Sequence, residues 1–109
     1  MPGFTEKDWK YLRSIHDEML SSLCQRINQK AVEIARAQGE SEHAKYLKLF
    51  KYIHDADDII AQCFNDWRRS TIDQRALSLR HHNLLTHDHL ENLTPDAQAC
   101  VKMWESLTR

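Results

Sequence analysis

Between Phe4 and Thr94 the chain holds one glycine, Gly39, and no proline. Glycine stops a helix through its backbone entropy and proline through its missing N–H, so their absence from almost the whole chain predicts long helices. Gly39 divides two periodic runs. Before it, Trp9, Leu12, Ile15, Met19, Leu23, Ile27, Ala31 and Ile34 recur at steps of three or four. They form one apolar stripe about seven turns long. Thr5 is placed to cap its start, with Asp8 three residues on facing the positive helix end. After it, Ser41 caps a second run in which Tyr46, Phe50, Ile53, Ile60, Phe64 and Trp67 make a similar stripe.

A tight connection at Gln38-Gly39-Glu40 leaves room only for an antiparallel pairing of these runs, with the two stripes facing each other. Beyond Trp67 the polar stretch 68–73 holds no breaker, and Ile72, Ala76 and Leu79 resume a helical period; continuation and a kink near Ser70 both satisfy the pattern. Asn83 is a C-terminal stop, Thr86 caps a short turn, and Thr94-Pro95-Asp96 reads as cap, first helical residue and first-turn acid of a last helix. That helix sets Ala97, Val101, Trp104 and Leu107 on one face. The expected architecture is all-α, one helical domain over 1–109. A long antiparallel hairpin covers about 6–82 and short C-terminal helices about 86–108. Arms of this length leave apolar stripe uncovered in one chain, so a homodimer completing a four-helix bundle is expected.

Composition bounds the function classes. With 41% hydrophobic and 28% charged residues the chain is an ordinary folded protein, and no segment approaches the ~20 apolar residues of a bilayer span. No secretory leader is visible at the N-terminus, so the cytoplasm is expected and a membrane role is not. Fifteen Lys and Arg against sixteen Asp and Glu leave a net charge of −1, which argues against nucleic acid as partner. Cys24, Cys63 and Cys100 are widely spaced and read as small buried apolar residues rather than a disulfide or zinc framework.

The segments Phe4-Thr5-Glu6-Lys7-Asp8-Trp9, Asn65-Asp66-Trp67-Arg68-Arg69-Ser70 and Leu84-Leu85-Thr86-His87-Asp88-His89-Leu90 resemble a group of short bacterial helical proteins without an established activity. The resemblance implies an all-helical fold and a bacterial cytosolic origin, and carries no catalytic residue across.

Three groups of residues bear on chemistry. Asp57 sits where the second stripe requires an apolar side chain, and hairpin symmetry about Gly39 places it level with Ser22 and Leu23, one turn from Arg26. A satisfied polar layer is the cheaper reading, because an unpaired buried charge costs several kcal/mol. Metal ligation is the alternative: His54, Asp57 and Asp58, with His87 and His89, form a candidate set in a chain with three His-Asp dipeptides (His16-Asp17, His54-Asp55, His87-Asp88). Their spacing fits neither histidine-aspartate phosphohydrolases nor di-iron carboxylate bundles, for which Glu40-x-x-His43 is the single Glu-x-x-His copy. Arg68, Arg69 and Arg75 form a candidate anion site, opposed by the reading that they pair with nearby acids. The expected function is a non-enzymatic self-association or protein-interaction module without a cofactor; the alternative is a small metal- or anion-binding bundle with hydrolytic activity.

Overall fold

A computed structural model describes residues 3–107. They form six helices and, among the described residues, no strand: α1 (Glu6–Ser14), α2 (His16–Arg36), α3 (Glu42–Phe64), α4 (Ile72–His81), α5 (His87–Glu91) and α6 (Pro95–Leu107). Residue 108 of the expected C-terminal segment lies outside the described residues.

The caps read from the sequence are formed. Thr5 and Asp8 make a reciprocal box at the start of α1, Ser41 Oγ accepts from Ala44 N–H at 3.1 Å, and Thr86 and His89 make a second reciprocal box around α5. Gly39 adopts φ 82°, the left-handed conformation that a side chain makes costly, and returns the chain antiparallel so that α2 and α3 pair.

The long runs are broken where neither glycine nor proline stands. The first stripe is interrupted at Ile15 (φ −107°, ψ 6°), whose N–H donates to Leu12 O in a tightened turn before α2 begins. α3 ends at Phe64, and the hairpin therefore stops well short of residue 82. Asp66 takes φ 58°, and Trp67 Nε1–H donates to Cys63 O at 2.7 Å, supplying the last turn with a donor. α4 ends with Asn83 at φ 60°, where Leu84 N–H reaches Leu79 O at 2.8 Å and Asn83 N–H reaches Arg80 O at 3.1 Å. This is a complete Schellman stop, with Leu79 and Leu84 both buried in contact position. Asp and Asn tolerate the left-handed region through their short polar side chains, so they replace glycine as breakers.

The core is one cluster at one end of the molecule. It gathers Trp9 and Leu12 of α1, Met19, Leu23 and Ile27 of α2, Ala56 and Cys63 of α3, Ile72, Ala76 and Leu79 of α4, Leu90 of α5 and Val101 of α6. No residue from 28 to 55 is buried. The tip half of the α2–α3 hairpin therefore projects as a two-helix arm. The Cα radius of gyration is 16.7 Å and the extents are 52 × 28 × 22 Å, against about 13 Å for a compact chain of this length.

Candidate interaction surface

The arm owes its surface to how α3 lies on α2. The buried positions of α3 are Ala56 and Cys63, two turns apart, with Tyr52, Ile59 and Ile60 half-buried beside them. This face, and not the stripe through Tyr46, Phe50 and Ile53, is turned inward. The expectation that the two stripes face each other is corrected for the arm. Tyr46 is 61% exposed, Leu47 52%, Phe50 63% and Ile53 43%, and Val32 of α2 adds 47%. The rings of Tyr46, Phe50 and His54 run in a row, 6.5 Å and 6.4 Å between successive centroids.

Beyond the Glu42 of its first turn, α3 carries its lysines before its aspartates. Lys45, Lys48 and Lys51 precede Asp55, Asp57 and Asp58. Lys45 pairs with Glu42 at 2.9 Å, Lys48 with Glu40, and Lys51 with Asp55 at 2.8 Å. The Lys51 bond holds the Asp55 carboxyl below its usual range and the Lys51 ammonium above its own. Asp57 and Asp58 pair with no cation among the described residues. Asp57 is exposed, not a buried polar layer, because Ala56 takes the inward position. Arg26, its expected partner, instead donates to His82 O and Asn83 O at 2.7 Å each, closing the C-terminus of α4.

The metal candidates are dispersed. His54 stacks on Phe50 on the arm; His87 and His89 lie on α5, where His89 Nδ1 accepts from Thr86 N–H at 3.1 Å and Nε2 meets Glu18 of α2 at 2.9 Å. Among the described residues no group of three or more His, Cys, Asp or Glu is arranged to hold a metal ion. The arginine candidates are engaged within the chain: Arg68 with Asp66 at 2.6 Å, Arg69 in a two-bonded fork with Glu6 at 2.8 Å, and Arg75 Nη1 with Asn65 O at 2.9 Å. They fasten the 65–71 connection to α1 and to the end of α3. Cys63 is fully buried, and burial pushes its thiol up to about 11, so it is inert; Cys24 and Cys100 are only half-buried.

Two features escape a reading of the sequence. Asp8 is fully buried and accepts not only from Thr5 but from Thr94 N–H at 2.7 Å and Thr94 Oγ1–H at 2.8 Å, so one carboxylate joins the starts of α1 and α6. Burial pushes this carboxyl up, but the hydrogen bonds from Thr94 and Thr5 outweigh it and hold the group below the usual carboxylate range. The local signal, Thr5-x-x-Asp8, was legible; the partner 86 residues away was not. The second is an open cleft of about 440 Å³ at the α1–α2 break, lined by Trp9, Arg13, His16, Asp17 and Trp67. The first-turn acids Asp17 and Glu18 were the available sign that a new helix starts there. His16 packs edge-on against Trp67 and Phe64, and Arg13 and Arg69 lie 5.7 Å and 5.4 Å from the Trp9 ring. These residues offer stacking surface and a guanidinium, without a nucleophile held by a base.

Among the described residues no helix is long and apolar enough to cross a membrane. Comparison of the chain with protein-family models, with curated proteins and with solved structures finds no match.

Proposed function

We propose that the protein is a non-enzymatic association module, a bacterial cytoplasmic homodimer whose chains join through the projecting arm. One observation carries the reading: Tyr46, Leu47, Phe50 and Ile53 of α3 stand exposed at helical spacing, with Val32 of α2, on a segment that has no buried residue of its own. An exposed apolar surface that recurs at helix period is the surface a helical partner covers. A stable dimer takes roughly 800 Å² from each chain, more than one helix face of this length supplies. Both helices of each arm are therefore engaged, and two arms together close a four-helix core.

Sedimentation equilibrium of the full chain at micromolar concentration tests this, with Phe50→Glu as control. Dimer for the unaltered chain and monomer for F50E, with unchanged far-UV circular dichroism, support the reading. A monomer at high micromolar concentration removes it.

A further inference from the structure

We infer that the two chains meet with their α3 helices antiparallel across a two-fold axis near residues 54 and 55, Lys51 of each copy against Asp58 of the other. The inference rests on the association proposed above and names the geometry that the charge pattern selects. Leu47, Lys51, His54 and Asp58 follow steps of four, three and four along the exposed side of α3, so the ammonium and the carboxylate share one face two turns apart. Phe50 adjoins them there.

A parallel pairing sets Lys51 against Lys51 and Asp58 against Asp58. An antiparallel pairing about that axis sets Lys51 against Asp58 instead, and the two-fold makes the contact twice. Asp58 has no cation among the described residues and is the available acceptor. Lys51 lies 2.8 Å from Asp55, but both side chains are largely exposed, and an exposed pair of this spacing is worth only a few tenths of a kcal/mol. Lys51 is therefore free to bridge to a second carboxylate. Seven residues separate the two charges, about 10 Å along the helix, and the axis falls midway. Phe50 and His54, whose rings stack 6.4 Å apart, lie beside it on the same side of the helix, which puts ring contact next to the charge pairs.

Sedimentation equilibrium on two charge reversals of the full chain tests the geometry, circular dichroism confirming that each keeps its helix content. K51E alone and D58K alone are expected to associate about tenfold more weakly than the unaltered chain, because each repeats a like-charge contact on both sides of the axis. An equimolar mixture of the two is expected to recover the unaltered affinity as a heterodimer, since each chain then carries the charge that the other requires. If the mixture stays as weak as its components while the unaltered chain dimerises, the antiparallel register is overturned and association through the arm stands. If K51E mixed with the unaltered chain binds more tightly than the unaltered chain alone, the pairing is parallel and the inference is likewise overturned. A monomeric unaltered chain ends both this inference and the reading it rests on.

Discussion

At the scale of single residues, Asp8 and Asn83 illustrate how polar side chains set the fold of a helical protein. Asp8 satisfies donors at two helix starts that are 86 residues apart in sequence, so its removal leaves both sets unpaired inside the molecule. Asp8→Ala is expected to cost about 2–4 kcal/mol in urea unfolding, more than loss of either cap alone. Because the folded carboxyl is held below its unfolded value of about 3.9, its contribution is fully present above that pH. It is lost as pH falls through the depressed folded value, and a pH series of melting curves should show that loss flattened in Asp8→Asn. Asn83 holds a left-handed position at a Schellman stop, which makes Asn83→Ala destabilising by about 1 kcal/mol and Asn83→Gly neutral or stabilising. Both effects are readable in thermal melts. The box Thr5-x-x-Asp8 and the stop at Asn83 were legible because each acts within a few residues. Asp8's bond to Thr94 was not, since nothing local to either residue records a contact made only when α1 and α6 pack.

The helices themselves show where a pattern of apolar residues underdetermines a surface. α3 has apolar residues on more than half of its circumference, and two stripes, one through Tyr46, Phe50 and Ile53 and one through Tyr52, Ala56 and Cys63, satisfy the same periodicity. The larger side chains favour the first; the fold buries the second, at Ala56 and Cys63. Similarly, Ile15 fits the stripe of a continuous first helix, yet the turn there starts α2 afresh and opens the cleft beside Trp9. The connection between α3 and α4 is irregular at 65–71 and exposes Arg68 and Arg69, which limited trypsin digestion should therefore cut before the arginines and lysines inside α2 and α3. Glu6→Gln is expected to speed that cut severalfold by freeing Arg69 from its fork. Gly39 carries no packing contact that an added Cβ would disturb, so the cost of Gly39→Ala, about 1 kcal/mol, comes from its φ of 82° alone.

Over the whole molecule, stability is unevenly distributed, with the buried cluster at one end and an arm without buried residues at the other. Among the helices, amide hydrogen exchange in dilute solution should be fastest in the arm segments of α2 and α3, within residues 28–55, and should slow there selectively as protein concentration rises, if a second chain covers it. The same protection throughout the arm at all concentrations would argue that nothing docks on it. What the sequence determined alone was the set of interactions that close within about four residues: helix content, the caps at Thr5, Ser41 and Thr86, the reversal at Gly39 and the stop at Asn83. Those depend on backbone geometry and on hydrogen bonds between near neighbours, and residue type at fixed spacing is enough to encode them. Tertiary structure alone decided which face of α3 is buried, that Asp57 points to solvent while Arg26 closes α4, and that Arg68, Arg69 and Arg75 bind their own chain. Such choices are made between faces and partners of nearly equal local merit, and only the close packing of distant elements separates them in energy.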